Sequence, residues 1–295
     1  MLQKIQPMPA IGDALRIAAT QLQAAGVAQA RRDARLLFSA ATGLSHEDII
    51  RDPDAAIRPE QAQAFTAMIA RRVAHEPVSR ILGRREFWSL DFEITPDTLD
   101  PRADSETLIS AALSMIEDRG RALRVLDIGT GSGCLLLALL SEFPRAYGTG
   151  IDISRGALDV AHRNALRLGF SGRAKFIRCD VQSASWLEQT GGPFDIVISN
   201  PPYIENAVIA ELAPEVTLFD PFTALAGGVD GLDFYRMITI SLVHLLCPDG
   251  LVIFEAGAGQ AEAVQMLLRQ AGLAVSAPHH DLGGVARAVT GRFAA

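Results

Sequence analysis

The chain lacks the long apolar runs and paired cysteines that would mark it as a membrane or secreted protein. Its longest candidate run, Cys134 to Leu140, stops at Ser141, far short of the roughly 18 continuous apolar residues that a membrane helix needs. The three cysteines are odd in number and far apart, which is typical of free thiols in a reducing compartment. The N-terminal residues also lack the apolar core of a secretory signal peptide. These absences predict a cytoplasmic protein without membrane contact.

The chain also lacks a group of cysteines and histidines with the spacing of a metal site. The pair His279-His280 follows Pro278 and predicts a surface turn. We therefore expect no bound metal.

Positive charge is scarce in most of the chain. The net charge is −7, but the first 80 residues carry ten Lys and Arg against eight Asp and Glu, and the remainder carries seventeen against twenty-six. The acidic remainder disfavours a broad grip on nucleic-acid phosphates, so we expect no direct, specific nucleic-acid binding. In the first 80 residues, Arg31-Arg32, Arg35 and Arg71-Arg72 most simply form solvated helix faces, with contact to RNA or an RNA-bound partner as the alternative.

The hydrophobic pattern changes character twice along the chain. Helical spacing over residues 9–75, interrupted by Gly26, Gly43 and Pro59, predicts a small helical bundle within a domain of residues 1–80. Near alternation over residues 86–94 predicts a β-hairpin or strand pair within a linker of residues 81–104. Helix and strand patterns then alternate through residues 105–295, which predicts an α/β domain with a doubly wound parallel sheet.

Seven strands are predicted in that third region, the last two pairing antiparallel at one edge. They are residues 123–128, 147–152, 174–178, 194–199, 251–255, 273–277 and 285–290. The predicted helices between them are residues 132–143, 154–168, 232–246 and 260–271, with Ser154 as an N-cap and Gly169 as a C-cap.

A glycine-rich turn joins the first of these strands to an apolar helix. It comprises Gly129, Thr130, Gly131, Ser132 and Gly133. Such a turn lets a ligand approach the backbone, although glycine-rich turns also serve packing alone.

Asp152 ends the second strand, where a carboxylate can accept both hydroxyls of a ribose; the alternative is a helix-capping role. The glycine spacing departs from the Gly-x-Gly-x-x-Gly of nicotinamide dehydrogenases, which favours a nucleoside without phosphates, such as S-adenosylmethionine. Asp180-Val181, after the third strand, can contact an adenine or simply end the strand.

The fourth strand runs into Asn200-Pro201-Pro202-Tyr203. Two consecutive prolines restrict the backbone and remove two N–H donors, so the loop is rigid and its carbonyl groups are free to accept hydrogen bonds. Carboxyl ends of strands are where open α/β sheets bind ligands. The sequence therefore predicts a site for a substrate with a planar NH2 group, whereas a plain strand end with Tyr203 in the core is the alternative.

Together these motifs resemble the class I S-adenosylmethionine-dependent amino-group methyltransferases. The resemblance extends over residues 9–293 to the release factor glutamine N5-methyltransferase family, also called PrmC or HemK. It is carried by Pro77-Val78, Gly83 with Glu86-Phe87-Trp88, Pro101-Arg102 with Glu106, Asp220-Pro221, Ala224-Leu225, Gly228-x-Asp230-Gly231-Leu232 and Glu255 with Gln260. The chain departs from the family's Ile-Pro-Arg-Pro, having Asp100 and Ala103 on either side of Pro101-Arg102.

The resemblance implies a seven-stranded, doubly wound, Rossmann-like sheet and methylation of the glutamine in the Gly-Gly-Gln loop of peptide-chain release factors, which would be bound through the N-terminal domain. It implies that the glycine-rich turn, Asp152, Asp180-Val181 and Asn200 hold S-adenosylmethionine. Asn200, Pro201, Pro202 and Tyr203 would hold the glutamine, with Asn200, Pro201 and Tyr203 in catalytic roles. The alternatives are a ribosomal-protein glutamine methyltransferase, an adenine-N6 methyltransferase of nucleic acids, and a binding protein without catalysis.

Overall fold

A computed structural model describes residues 10 to 293. The chain divides into two compact units, one of the described residues up to Gly83 together with Pro214–Phe219, the other of the rest. The β-hairpin belongs to the larger unit, and the segment Pro214–Phe219 belongs to the smaller one although it lies far downstream in the sequence.

The smaller unit is the predicted bundle of helices. They are α1 (Ile11–Ala24), α2 (Ala30–Thr42), α3 (His46–Arg51), α4 (Pro59–Val73) and α5 (Val78–Leu82). Gly43 ends α2 in the left-handed region, Ser45 caps α3 by accepting from the Asp48 amide, and Pro59 opens α4. Phe38 and Phe65 pack edge to face in its core with ring centroids 5.1 Å apart.

The hairpin pairs β1 (Arg84–Phe87) with β2 (Leu90–Glu93) in antiparallel register. Its two turn residues, Trp88 and Ser89, have φ of 52° and 57°, a left-handed conformation that suits a two-residue hairpin but strains residues other than glycine. Glu106 accepts from the Trp88 backbone N–H at 2.8 Å and Glu142 accepts from its indole N–H at 2.7 Å. These two hydrogen bonds hold the strained turn in place.

The sheet of the larger unit follows the predicted α/β pattern. Its strands are β3 (Arg124–Ile128), β4 (Tyr147–Asp152), β5 (Ala174–Arg178), β6 (Phe194–Ser199), β7 (Leu246–Glu255), β8 (Leu273–Val275), β9 (His279–His280) and β10 (Ala286–Phe293). The helices that follow the hairpin are α6 (Glu106–Met115), α7 (Cys134–Glu142), α8 (Arg155–Arg167), α9 (Trp186–Thr190), α10 (Pro214–Thr217), α11 (Asp233–Leu245) and α12 (Ala261–Gln270). Of these, α10 lies in the smaller unit.

The strand order is β5-β4-β3-β6-β7-β10-β8, and β10 is antiparallel to both of its neighbours. The predicted antiparallel edge is thus confirmed. The prediction of a surface turn at His279-His280 is wrong, because these residues form β9 and pair with β10. The backbone of these two residues gains hydrogen bonds by pairing with β10, and their side chains give no sign of this in the sequence.

Apolar side chains alternate between the two faces of the parallel strands. Val125, Ile196 and Ile253 pack on one face under α6 and α7, and Leu126 and Val197 pack on the other with α11 and α12. Both faces are therefore covered, as a parallel sheet requires. Within residues 10–293, every helix is too short or too polar to cross a lipid bilayer.

The chain direction across the sheet reverses between β3 and β6. From β3 the chain proceeds outward to β4 and β5, then returns to place β6 on the opposite side of β3. Ile128 is paired with Ser199, so the loops that begin at Gly129 and Asn200 leave the sheet side by side. Such a switch point opens a crevice at the carboxyl ends of the strands.

Candidate active site

A cavity of about 890 Å³ lies at this switch point. It is lined by the loops that follow β3, β4, β5 and β6 and by residues before α6 and along α11. Its size is that of a pocket for a small organic ligand. The residues predicted for the site that line it are Gly129, Thr130, Gly131, Ser132, Asp152, Asp180, Val181, Asn200, Pro201 and Pro202. Gly133 and Tyr203 are not among the lining residues.

Backbone hydrogen bonds and one carboxylate fix the glycine-rich turn. Gly129 and Thr130 both donate to the Ile151 carbonyl oxygen at 2.9 Å. The Asp152 carboxylate accepts from the Gly131 N–H at 2.9 Å and from the Ser154 N–H at 2.8 Å. Each Asp152 oxygen thus accepts one backbone N–H, which leaves further lone pairs for hydroxyl donors in the cavity.

The strength of Asp152 as an acceptor depends on its charge. Burial raises the pKa of Asp152, and the hydrogen bonds from Ser154 and Gly131 oppose that rise. The ionised carboxylate can accept two ribose hydroxyls, so the residues present fit a nucleoside in the cavity.

Asp127 lies beneath the turn and was not singled out from the sequence. Its carboxylate accepts from the Thr130 hydroxyl at 2.6 Å, and the side chain is fully buried within β3. Burial raises the pKa of Asp127 to about 7. Asp127 therefore holds Thr130 from below, and its position inside an apolar strand was the available signal.

Asp180 shapes the loop after β5. Its side chain accepts from the Gln182 N–H at 2.9 Å and its carbonyl oxygen accepts from the Ser183 N–H at 2.9 Å. Val181, Phe234 and Met237 all line the cavity, as does Asp180. The cavity therefore has apolar surface for a flat ring and a carboxylate acceptor for its polar edge.

Asn200 and Pro201 present acceptors at the end of β6. The Asn200 side-chain NH2 group donates to the Ser105 hydroxyl oxygen at 3.4 Å. In this orientation Oδ1 is left to accept a hydrogen bond from another group. Across the described part of the chain, no donor reaches Asn200 Oδ1 or the Pro201 carbonyl oxygen. Two acceptors on a rigid loop suit a group with two N–H donors.

Tyr203 packs in the core and does not line the cavity. Its hydroxyl donates to Glu255 Oε1 at 3.3 Å, and its ring packs with the core on the α11 side of the sheet. Burial and Glu255 raise the pKa of Tyr203, so it remains a protonated donor. Burial likewise raises the pKa of Glu255 to about 7, whereas the Ser105 hydroxyl and Arg287 favour its ionised form. Tyr203 thus anchors the loop, and packing of its ring on a substrate amide remains a prediction.

A second wall, residues 97–105, was not predicted to line the site. Arg102 borders the cavity and donates to the buried Asp220 at 2.5 Å. The Asp100 N–H donates to the other Asp220 oxygen at 3.3 Å, and the Asp100 carboxylate lies 4.0 Å from the Arg102 guanidinium. Asp100, which departs from the family pattern, therefore joins an ion-pair network that fixes this wall.

Among residues 10–293, no three His, Cys, Asp or Glu side chains are arranged to hold a metal ion. The three cysteines are free thiols.

Two family models match the chain. The model of the PrmC N-terminal domain matches residues 13–83, and a model of a methyltransferase domain matches residues 120–226.

Curated relatives match nearly the whole chain. The release factor glutamine methyltransferase of Rhodospirillum rubrum is 49% identical over 96% of this chain and 85% of its own length. That of Bradyrhizobium diazoefficiens is 43% identical over 96% of this chain and 94% of its own. Among solved structures, a methyltransferase from Pyrococcus furiosus matches with a TM-score of 0.52 at 18% identity, covering 77% of this chain and 96% of that one. This structural likeness concerns the fold alone.

Proposed function

This chain belongs to the release factor glutamine methyltransferase family, and we propose that it methylates the glutamine of the Gly-Gly-Gln loop in peptide-chain release factors. The methyl donor is S-adenosylmethionine, and the acceptor is the side-chain amide nitrogen, N5. The observation that carries the proposal is the pair of acceptors, Asn200 Oδ1 and the Pro201 carbonyl oxygen, beside the glycine-rich turn.

The residues of the cavity suit each part of the methyl donor. Asp152 would accept the ribose hydroxyls, the turn from Gly129 to Ser132 would hold the amino-acid part, and Asp180 with Val181 would hold the adenine. When bound, S-adenosylmethionine supplies a methyl group attached to a positively charged sulfur. This sulfur leaves readily as a neutral thioether when the methyl group is transferred.

The protein must make a weak nucleophile reactive. A carboxamide nitrogen is unreactive because its lone pair is delocalised into the carbonyl group. If Asn200 Oδ1 and the Pro201 carbonyl oxygen each accept one N–H, they orient the nitrogen and favour its pyramidal form. Both oxygens also stabilise the positive charge that develops on that nitrogen.

Neighbouring groups keep these acceptors in place rather than act as bases. Tyr203 stays protonated on Glu255, and Ser105 takes the NH2 end of Asn200. The Asn200 oxygen is thereby left for the substrate. Holding the nitrogen in line with the methyl group supplies much of the rate, and the surplus proton leaves to water.

Asn200→Ala tests the proposal. We expect methyl transfer from labelled S-adenosylmethionine to purified release factor to fall about 100- to 1,000-fold in kcat, as when one such hydrogen-bonding partner is removed. Asn200→Asp keeps the shape of the side chain but introduces a negative charge. Its carboxylate oxygens cannot donate a hydrogen bond to Ser105. Gln189→Ala, which removes an exposed amide outside the cavity, is the matched control and keeps wild-type activity.

Substrate identity is tested in the same assay. Release factor, a glutamine-containing ribosomal protein and an adenine-containing duplex are supplied in parallel with wild-type enzyme. The proposal requires transfer to release factor and loss of transfer when its Gly-Gly-Gln glutamine is replaced. Near-wild-type turnover by Asn200→Ala would overturn the role given to that side chain.

A further inference from the structure

One side chain outside the cavity holds the end of the Asn-Pro-Pro-Tyr loop. The Gln260 NH2 group donates to the Tyr203 carbonyl oxygen at 2.9 Å, and Gln260 Oε1 accepts from the Gly257 N–H at 3.1 Å. Since one end of the amide must donate and the other must accept, only one orientation satisfies both contacts. Gln260 directly precedes α12 and does not line the cavity.

Glycines on two further segments make room for this contact. A Cβ at Gly231 would lie 2.3 Å from the Tyr203 carbonyl oxygen and 2.5 Å from Gln260 Nε2. A Cβ at Gly257 would lie 2.6 Å from Gln260 Oε1. Each of these distances is shorter than a Cβ contact allows. Glycine is required at Gly231, where the close atom is a backbone oxygen and φ is 72°, whereas a side chain at Gly257 would displace the Gln260 amide. The loops after β6 and β7 and the segment before α11 therefore converge on Tyr203.

The loop between Pro201 and Tyr203 is stiff, because both prolines have restricted backbone angles. A displacement of the Tyr203 carbonyl is therefore passed to the Pro201 carbonyl, one of the two proposed acceptors. The Tyr203 hydroxyl on Glu255 and the Asn200 amide on Ser105 are longer contacts, at 3.3 and 3.4 Å. The Gln260 hydrogen bond is the shortest of the three side-chain contacts that hold the loop.

We infer that Gln260 is a positioning residue for methyl transfer, which it serves by fixing the Asn-Pro-Pro-Tyr loop through the Tyr203 carbonyl oxygen. The inference rests on the proposed function of that loop. The inference also gives a role to Gly231, Glu255 and Gln260, which belong to the sequence pattern of the family but take no direct part in the reaction.

Gln260→Glu tests the inference with almost no change of shape. The ionised carboxylate cannot donate to Tyr203, so we expect kcat to fall about 10- to 100-fold, the cost of a misplaced reacting group. The affinity for S-adenosylmethionine, measured by calorimetry, and the KM for release factor should stay within about twofold of the wild-type values. Gln260 contacts neither the proposed cofactor site nor the substrate itself.

Protonation supplies a rescue that a merely structural role would not show. A neutral carboxyl group at this position can donate its O–H to the Tyr203 carbonyl and accept from Gly257, which restores the wild-type pattern. The ratio of variant to wild-type kcat should therefore rise severalfold as the pH is lowered. The charged groups that act on the Tyr203 side chain are Glu255, Arg287 and Arg102. Of these, only Glu255 changes charge in this range, with a pKa of about 7, so kcat of the wild type is measured at each pH to account for it.

Gln265→Glu is the matched control. Gln265 also lies on α12 and its NH2 group donates to a backbone carbonyl, that of Ser276, at 2.8 Å. Its kcat ratio to wild type should stay near one at every pH.

The outcomes separate this inference from the proposed function. Absence of transfer to release factor by the wild-type enzyme contradicts the function. Normal wild-type transfer with an unchanged kcat in Gln260→Glu, or a reduced kcat without recovery at low pH, overturns the role of Gln260 alone. Gln260→Ala, which cannot be rescued by pH, should remain slow throughout.

Discussion

Two buried carboxyl groups lie near the C-terminal ends of β3 and β7, the strands on either side of β6. Asp127 and Glu255 are 0% and 1% exposed, and burial raises the pKa of each to about 7. Burial disfavours the charged form because the protein interior solvates a carboxylate poorly. Their hydrogen-bond donors, the hydroxyl groups of Thr130 and Tyr203, belong to the loops after β3 and β6, two of the segments that line the cavity.

This burial predicts how stability depends on pH. Asp127 and Glu255 lose their protons near pH 3.8 and 4.5 when exposed, but near pH 7 when folded. In this window the unfolded chain binds fewer protons, so the free energy of unfolding falls as the pH rises, by about 1.4 kcal/mol per pH unit for each group. Above about pH 7 this contribution becomes constant.

Asp127→Asn tests this account by urea denaturation across the same pH range. The variant keeps an acceptor for Thr130 but cannot ionise. The free energy of unfolding should therefore fall less steeply with pH than in the wild type, by about 1.4 kcal/mol per pH unit, the share of one proton. Asp54→Asn, at an exposed position, is the control for replacing a carboxyl by an amide. An unchanged slope in Asp127→Asn would contradict the buried-proton account.

At the scale of elements, Asn164 of α8 joins the hairpin to the glycine-rich turn. The side chain is 0% exposed; its Oδ1 accepts from the Glu93 N–H at 2.8 Å, and its NH2 group donates to the Glu93 and Ser132 carbonyl oxygens at 3.1 and 2.9 Å. One amide therefore satisfies three backbone groups from two elements.

Removal of this amide should weaken both elements. Asn164→Ala leaves three backbone groups without their partner, and we expect the free energy of unfolding to fall by about 3 kcal/mol. The affinity for S-adenosylmethionine should also fall, because Ser132 belongs to the proposed cofactor turn. Calorimetry and urea denaturation measure the two effects, with Leu166→Ala, 71% exposed on the same helix, as control. Loss of stability with unchanged affinity would contradict the link to the turn.

The sequence predicted the parallel strands well because apolar runs between glycine and polar turns define their ends. The bounds of β4, β5 and β6 agree with prediction. The start of β7 does not, since Pro248, Asp249 and Gly250 indicate a turn, whereas the structure continues the strand through them with Asp249 at φ of 61°. Such irregularities depend on the neighbouring strand, which local sequence does not specify.

At the scale of the whole molecule, residues far apart in the sequence can belong to the same compact unit, as Pro214–Phe219 does to the helical one. The buried Arg72 guanidinium binds Asp33 of α2 at 2.8 Å and Glu215 of α10 at 2.5 Å. Glu215 lies 143 residues beyond Arg72, within the stretch predicted as one continuous α/β domain. The ion pair thus joins a distant segment to the helical unit, and the prediction that Arg72 lies on a solvated helix face is wrong.

The candidate site could be predicted only in part for a similar reason. The turn at Gly129, Asp152 and Asn200 follow strands with clear patterns, so the fold brings them together as expected. Arg102 and Ser105 lie in an irregular segment, where no periodicity indicates a direction. Their place in the site became visible only through Asp220 and Asn200, their partners in the folded protein.

The most direct measurement is mass spectrometry of release factor incubated with this protein and S-adenosylmethionine. The account predicts the mass increase of one methyl group on the glutamine of the Gly-Gly-Gln peptide, with wild-type enzyme and not with Asn200→Ala. An unmodified peptide, or a methyl group on any other residue, would contradict it.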